Sequence, residues 1–345
     1  MHFEEKVNEL SKIIDEQLLP IINKNGKVDE CVYLDLPYHT NIGDILIWHG
    51  TEHFLKRTGI KCLYRASCST FSKQKMKKIT RRGNNSPCKE ILIFLHGGGN
   101  FGDLWALYHD FRKKIIEYYS GNPIIILPQT VFYEDSSRIK DDVELFAKHK
   151  NLTICARDNK SYHLLKNNFR NKVILAPDMA FCIPGDELKR YQLKQENRTL
   201  LLKRRDKELN GTVDFSKIIS ETKFDIHDWP SMERQTMTWF FVKKLLLISR
   251  KVPIFIPKLI DIYVFFLFKP NMVKIGVKFV SRYSKIYTTR LHVAILCCLL
   301  GKSYVFLDNS YGKNSSFFET WLSDVDSIKF YHEHKNIDYN SSLQS

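Results

Sequence analysis

Short, continuously apolar runs alternate with stretches of helical periodicity through the first half of this 345-residue chain. Runs such as ILIFL and IIIL are apolar at every position, as parallel strands covered on both faces are. The pattern therefore predicts an α/β fold with a parallel sheet and crossover helices. The predicted strands are Cys31–Leu36, Glu90–Leu95, Pro123–Leu127, Leu152–Ala156 and Lys172–Leu175. The predicted helices are Ile45–Arg57, Leu104–Tyr119, Arg138–Lys148 and Lys160–Asn168.

A polar, charged stretch, Pro184–Arg198, separates this half from a second set of elements. Such composition is typical of a linker between domains. We therefore expect one domain over residues 1–184, another over 199–330 and a tail over 331–345. The elements predicted in the second domain are strands Thr199–Lys203, Lys285–Thr288 and Ser303–Leu307 and helix Leu291–Leu300.

The segment Met237–Lys278 combines apolar runs such as LIDIYVFFLF with interspersed lysines and arginines. Its apolar runs are shorter than the roughly 20 residues that span a bilayer. Two interpretations remain open for this segment. It forms a pair of helices in the core of the second domain, or it forms a basic, aromatic-rich surface that contacts an anionic membrane.

The formal net charge of +15 favours anionic partners, such as phosphorylated metabolites, lipid headgroups and acidic glycans. No nucleic-acid-binding motif accompanies the charge, so we expect no nucleic-acid partner. The first 22 residues have the periodicity of an amphipathic helix and not of a secretion signal, and the eight cysteines form no CxxC pair. These features predict a cytoplasmic protein, with peripheral membrane contact as an added possibility.

The sequence ILIFLHGGGNFGDLW places three consecutive glycines after a predicted strand. Glycines at such a junction let the backbone approach a ligand closely, and a helix N-terminus that follows favours an anion. We expect a helix to begin near Asp103 and the preceding residues to bind a ligand. The residues predicted to line this loop are Gly97, Gly98, Gly99 and Asn100.

A similar junction, HTNIGDILIW, follows the first predicted strand and carries Asn41, Gly43 and Asp44 where a helix begins. Aspartate at such a position is commonly an N-cap residue. Alternatively, its carboxylate accepts hydrogen bonds from a sugar hydroxyl. Both interpretations of Asp44 remain open.

Arg157 and Arg290 each stand at the end of a predicted strand, one in each predicted domain. Ligands of open α/β sheets bind beyond the carboxyl ends of the strands, so both side chains should point toward one cleft. A guanidinium pairs with two oxygens of a carboxylate or phosphate, and a small donor carrying both groups would suit the pair. His292, next to Leu291 at a helix start, suits general acid–base catalysis.

Residues His49 to His53 match the HxxEH pattern of some zinc peptidases. Such a short match arises readily by chance, and no third ligand is evident downstream. We therefore expect no metal and no resident cofactor.

Six short motifs follow one another along most of the chain: NIGD (Asn41–Asp44), HGGGNFGD (His96–Asp103), PQT (Pro128–Thr130), ARD (Ala156–Asp158), APD (Ala176–Asp178) and TRLH (Thr289–His292). In this order and spacing they resemble the polysaccharide pyruvyltransferase family. The resemblance implies two Rossmann-like domains that face a cleft, as in the GT-B architecture, and phosphoenolpyruvate as the donor co-substrate.

The same resemblance implies roles for individual residues. His292 matches the catalytic histidine, while Arg157 and Arg290 match positions that hold the donor's anionic groups. We expect Leu291 and the glycine loop to contact the donor. Asn41, Asp44 and Asp103 are expected to bind the acceptor sugar of a surface glycan or exopolysaccharide. The alternatives are a GT-B nucleotide-sugar glycosyltransferase and a non-catalytic scaffold that binds glycan or lipid.

Overall fold

The computed structural model describes residues 1–80, 91–206, 208–209, 224–249 and 256–331. The predicted first residue of one strand, Glu90, and the predicted tail beyond Tyr331 lie outside these ranges.

The described residues of the first half form a parallel sheet of seven strands in the order β2-β1-β3-β5-β6-β7, with β4 pairing with β5. All the strand pairs in this sheet are parallel. The strands are β1 (Glu30–Leu34), β2 (Lys61–Ala66), β3 (Leu92–Leu95), β4 (Gly98–Phe101), β5 (Ile124–Val131), β6 (Leu152–Ala156) and β7 (Lys172–Leu175).

A second parallel sheet contains five described strands in the order β12-β11-β10-β8-β9. These strands are β8 (Glu196–Leu202), β9 (Phe224–His227), β10 (Tyr283–Thr288), β11 (Tyr304–Phe306) and β12 (Ile328–Phe330). The fold is thus α/β with parallel sheets, as the apolar runs predict. The predicted linker Pro184–Arg198 is more ordered than expected, because it contains a short helix and the start of β8.

Helices connect the strands of both sheets. In the first half they are α1 (Phe3–Ile22), α2 (Ile42–Thr58), α3 (Lys73–Thr80), α4 (Ala106–Tyr118), α5 (Arg138–Ala147), α6 (Asn159–Asn168), a 3₁₀ turn (Met179–Cys182) and α7 (Gly185–Lys189). In the second half they are α8 (Pro230–Glu233), α9 (Met237–Ser249), α10 (Ile256–Tyr263), a π-helical segment (Val264–Phe268), α11 (Lys269–Ser281), α12 (Leu291–Leu300) and α13 (Lys313–Trp321).

The first sheet is buried on both faces because its strands alternate between two apolar clusters. In β1, Tyr33 packs into one cluster and Val32 into the other. The cluster that holds Tyr33 continues through α2 and α12 to Leu200 and Ile286 of the second sheet. Apolar packing therefore joins the layers beneath the two sheets.

The segment Met237–Lys278 divides between the two interpretations left open above. α11 is largely buried, as a core helix is, with Met272 and Val277 inaccessible to solvent. α9, α10 and the π-helical segment bury only a narrow stripe, represented by Val242 and Ile260, and expose many apolar side chains. Over the described part of the chain, no helix combines the length and apolarity that crossing a bilayer requires.

Candidate active site

A pocket of about 260 Å³ lies beyond the carboxyl ends of strands from both sheets. This volume is below the roughly 300–1,000 Å³ of pockets for drug-sized ligands, so it suits a small metabolite. The lining residues come from both sheets: His39, Thr40, Asn41, Asp44, Gly99, Asn100, Trp105, Tyr108, Arg157, Arg204, Asp206, Glu208, Trp229, Met232, Arg290, Leu291, His292 and Lys313.

Arg157 reaches the pocket from the end of β6 and is fully buried. Its Nε donates to Thr130 Oγ1 at 2.9 Å, and its Nη1 donates to Asp178 Oδ2 at 2.7 Å. Within the described residues, its Nη2 is buried without a hydrogen-bond partner. Because a buried donor without an acceptor is costly, this nitrogen is suited to an anion bound in the pocket.

Asp178 connects Arg157 to His292, although the two come from different sheets. His292 lies on the first turn of α12, and its Nε2 lies 3.3 Å from the same Asp178 Oδ2 that accepts from Arg157. Burial acts to raise the pKa of Asp178, but His292 and Arg157 outweigh burial and hold that pKa well below its usual range. The carboxylate is therefore ionised and can orient both side chains.

Gly43 allows the imidazole of His292 to reach this position. A Cβ atom on Gly43 would lie 2.5 Å from His292 Nδ1, far inside van der Waals contact. Glycine is thus required at the first turn of α2 by the close approach of the histidine, and its backbone dihedrals do not require it.

Asn41 and Asp44 both line the pocket, and Asn41 has the N-cap role that one of the two interpretations gave to Asp44. The N-cap of α2 is Asn41, whose Oδ1 accepts from the Gly43 backbone N–H at 3.0 Å. The interpretation of Asp44 as the N-cap is therefore wrong. Asp44 Oδ2 accepts from Asn41 Nδ2 at 2.8 Å, and this carboxylate faces the pocket.

Arg290 enters the pocket from the second sheet, just after β10. Its Nε donates to Asp228 Oδ1, and its Nη2 lies 2.6 Å from Asp228 Oδ2 and 3.2 Å from Asp206 Oδ2. This two-point contact with Asp228 fixes the plane of the guanidinium. The next residue, Leu291, also lines the pocket.

The sequence interpretation missed three charged residues on the pocket wall: Arg204, Glu208 and Lys313. Lys313 Nζ lies 3.1 Å from Glu208 Oε2, and Arg204 Nη1 lies 2.6 Å from the same oxygen. Burial lowers the pKa of Lys313. Arg204 directly follows the predicted strand Thr199–Lys203, as Arg157 follows the predicted strand Leu152–Ala156, so the rule that identified Arg157 could also have identified Arg204.

The glycine loop does not run directly into a helix as predicted. Residues Gly98–Phe101 form the short strand β4, and α4 begins only at Ala106. Gly99 and Asn100 line the pocket. A Cβ on Gly99 would lie 3.2 Å from Lys313 Nζ and 3.5 Å from Arg157 Nη2, so this glycine leaves space between two cations.

The other residues predicted around this loop are placed elsewhere. Gly97 packs against the Pro128 carbonyl, where a Cβ would lie 2.9 Å from the oxygen, and Gly98 adopts a positive φ of 122°. The Asp103 carboxylate accepts from the backbone N–H groups of Glu134 and Asp135 at 2.7 and 2.8 Å. Asp103 thus holds the loop after β5 and does not line the pocket that Arg157 and His292 share.

The HxxEH match does not bring its own glutamate to its histidines. Glu52 instead accepts from Arg65 and Trp48. A different residue, Glu187 of α7, lies 2.8 Å from both His49 Nε2 and His53 Nε2. These three side chains form a group that could hold a metal ion. The same contacts link α2 to α7, because His49 Nε2 is hydrogen-bonded to Glu187 and His53 Nε2 lies within ion-pair distance of it.

Comparison with known proteins gives a consistent assignment. The family model described as polysaccharide pyruvyl transferase matches residues 41–311. EpsO of Bacillus subtilis (strain 168), provisionally named a pyruvyl transferase, is 31% identical over 92% of this chain and 92% of its own length. Pyruvyl transferase 1 of Schizosaccharomyces pombe is 24% identical over 86% of this chain and 70% of its own length.

A solved structure also shares the fold. An uncharacterized protein of Klebsiella pneumoniae is 20% identical, with a TM-score of 0.54 over 91% of this chain and 96% of that one. At this identity the likeness concerns the fold alone.

Proposed function

Because the chain belongs to the polysaccharide pyruvyl transferase family, we propose that it transfers the enolpyruvyl group of phosphoenolpyruvate to a sugar hydroxyl and forms a pyruvate ketal. The proposed acceptor is a surface or exopolysaccharide unit, carried as a lipid-linked repeat. The proposed location is the cytoplasm. We also propose that residues 1–184 and 199–330 form two Rossmann-like domains in a GT-B-like arrangement, with the pocket between them.

The observation that carries this proposal is the shared contact of Arg157 and His292 with Asp178 Oδ2. It brings an imidazole and a guanidinium, whose Nη2 has no hydrogen-bond partner among the described residues, to one point of the pocket. Phosphoenolpyruvate needs both groups close together, since its anionic substituents and its reacting methylene carbon are separated by only a few bonds.

Two positively charged positions suit the two anionic groups of the donor, one formed by Arg157 with Lys313 and the other by Arg290. Arg157 Nη2 and Lys313 Nζ both approach the space beside Gly99, and we assign the phosphate to this position. Arg290, held in plane by Asp228, would contact the carboxylate. Binding the donor at both ends fixes its orientation relative to His292.

The proposed reaction adds two sugar hydroxyls to the enolpyruvyl group and releases phosphate. His292 donates a proton to the methylene carbon, and positive charge develops on the central carbon. A sugar hydroxyl attacks that carbon and gives its proton to the imidazole of His292, which has just been deprotonated, and this leaves a tetrahedral phosphate-bearing intermediate. The phosphate leaves with the electrons of its C–O bond, and a neighbouring hydroxyl attacks the resulting cation, gives its proton to the released phosphate and closes the cyclic ketal. The negative charge of the bound carboxylate stabilises the cationic centre.

Release of inorganic phosphate from phosphoenolpyruvate in the presence of acceptor tests the proposal. Replacing His292 with Ala should lower kcat by about a hundredfold or more, the usual contribution of acid–base catalysis. Replacing Arg157 or Arg290 with Lys should mainly raise KM for phosphoenolpyruvate, because an ammonium cannot reproduce a planar fork.

Near-normal turnover of the His292→Ala variant would refute the catalytic assignment. A rise in melting temperature with UDP or GDP, but not with phosphoenolpyruvate, would instead favour a nucleotide-sugar glycosyltransferase. Absence of phosphate release with every acceptor tried would favour a binding scaffold.

A further inference from the structure

Exposed apolar side chains are concentrated on one part of the molecule. Among the described residues, the large apolar side chains that are exposed lie mostly between Met237 and Leu267. We call this group the apolar surface: Met237, Phe240, Phe241, Leu247, Ile248, Leu259, Ile262, Phe266 and Leu267. Phe266 is 66% exposed and Leu247 is 60% exposed. Isolated exposed apolar residues are ordinary, but a cluster of this size marks an interaction site.

The helices that carry the apolar surface pack against one another and are therefore ordered. The rings of Phe241 and Tyr263 lie 6.4 Å apart, and those of Trp239 and Phe268 lie 5.7 Å apart. The apolar side chains that point outward thus do so from a folded support. They are not left exposed by a missing core.

The segment that carries the apolar surface is strongly basic. Residues 237–278 contain eight lysines and arginines and a single acid, Asp261. The carboxylate of Asp261 is turned inward, where it accepts from the Tyr38 hydroxyl at 2.8 Å. Lys243, Lys244 and Lys258 are exposed among the apolar side chains.

This combination favours an anionic bilayer over a second copy of the chain. A two-fold interface would bring the same surface of two copies together, so lysines would face lysines with no carboxylate between them. Apolar and aromatic side chains flanked by lysines instead match the boundary between acyl chains and anionic headgroups. The segments are too short to span a bilayer, so contact would be limited to its surface.

The apolar surface lies next to the pocket. Met232, which lines the pocket, precedes α9 by only a few residues, and Ser231 Oγ donates to the Thr40 carbonyl at 2.7 Å. Asp261 binds Tyr38, the neighbour of the pocket residue His39. We propose that the apolar surface docks the protein on an anionic lipid bilayer and brings the pocket to an acceptor carried by a membrane lipid. The second part of this proposal rests on the proposed function.

Flotation of the full chain with lipid vesicles tests the docking. Vesicles of phosphatidylcholine alone are compared with vesicles that also contain phosphatidylglycerol. We expect the wild type to float with the anionic vesicles. A double variant, Leu247→Asp with Phe266→Asp, should reduce the bound-to-free ratio at least about tenfold, because two inserting side chains become charged.

A matched control adds the same charge elsewhere. Leu107 and Tyr118 are 67% and 50% exposed, and both lie on α4. The Leu107→Asp, Tyr118→Asp variant should float like the wild type.

The double variant Lys243→Gln with Lys244→Gln should bind anionic vesicles about tenfold more weakly, since each lysine near the headgroups contributes to the attraction.

Failure of the wild type to float, or undiminished flotation of the Leu247→Asp, Phe266→Asp variant, would overturn the docking. Light scattering that shows a dimer abolished by this variant, without flotation, would assign the surface to a second copy. These outcomes leave phosphate release by the soluble enzyme untouched, whereas absence of phosphate release with normal flotation would contradict only the proposed function.

Discussion

At the scale of single residues, Asp178 is the side chain on which the site geometry depends. Replacing it with Asn keeps the shape but removes the charge shared by Arg157 and His292. We expect kcat to fall by about a hundredfold, because both side chains lose their ionised partner. Steady-state kinetics with phosphoenolpyruvate measures this change.

A control for Asp178→Asn is available outside the pocket. Asp142 is also buried and also contacts a histidine, His109, at 2.5 Å. The Asp142→Asn variant should lose stability, because the hydrogen bonds of His109 and Tyr133 to a buried carboxylate are weakened, but its kcat should stay within a few-fold of the wild type. Equal losses of kcat in the two variants would show that Asp178 acts only on stability.

Gly43 is a second residue whose role is steric. In Gly43→Ala the added methyl meets His292 Nδ1 and must displace the ring. A shift of about 1 Å in a catalytic group can cost up to about a hundredfold in rate, so we expect kcat to fall at least tenfold. If displacement of His292 is the cause, the double variant Gly43→Ala with His292→Ala should have nearly the same kcat as His292→Ala alone. Additive losses of kcat in the double variant would contradict this explanation.

At the scale of elements, the sequence misses three of the four described strands that lie at sheet edges. The interior strand β6, the edge strand β7 and helix α12 match their predicted bounds. The strands that were missed at sheet edges are β2, β9 and β12. An edge strand has one neighbour and is only partly covered, so residues such as those of KCLYRA in β2 need no continuous apolar run.

Helix α2 packs closely on the Met179–Cys182 turn at Gly50. A Cβ on Gly50 would lie 1.9 Å from the Met179 carbonyl oxygen, so Gly50→Ala must push the helix away from the turn. Overpacking of this kind costs about 1–3 kcal/mol, and we expect a decrease in unfolding free energy at the upper end of that range. Urea unfolding provides the measurement, with Gly121→Ala as the control, because a Cβ at Gly121 meets nothing within 4 Å.

At the scale of the whole molecule, the site could be predicted where a residue lies at or just beyond the carboxyl end of a strand. Arg157 directly follows β6, whereas Arg290 and His292 come two and four residues after β10. All three satisfy this rule and line one pocket. Lys313 does not, because a loop separates it from β11. Glu208 does not either, because it lies six residues beyond the end of β8. Their positions depend on which strands become neighbours, and no local pattern encodes that arrangement.

The free energy of unfolding of the whole molecule should depend on pH, because the fold buries titratable groups such as His96. His96 is buried against the Tyr33 hydroxyl at 2.6 Å, and burial lowers its pKa to about 3. In the unfolded chain a histidine has a pKa of about 6.5. As the pH falls below that value, the unfolded state gains a proton that the native state does not. His96 therefore contributes stability above about pH 6.5, and this contribution decreases by about 1.4 kcal/mol per pH unit below it.

Burial raises the pKa of Asp35 to about 7, which stabilises the native state as the pH falls and opposes the effect of His96. A variant isolates the histidine from this opposing group. The deficit in unfolding free energy of His96→Gln relative to the wild type should shrink by about 2 kcal/mol between pH values of about 6.5 and 5. A deficit for His96→Gln that stays constant across this range would mean that His96 takes up its proton in the native state as readily as in the unfolded chain.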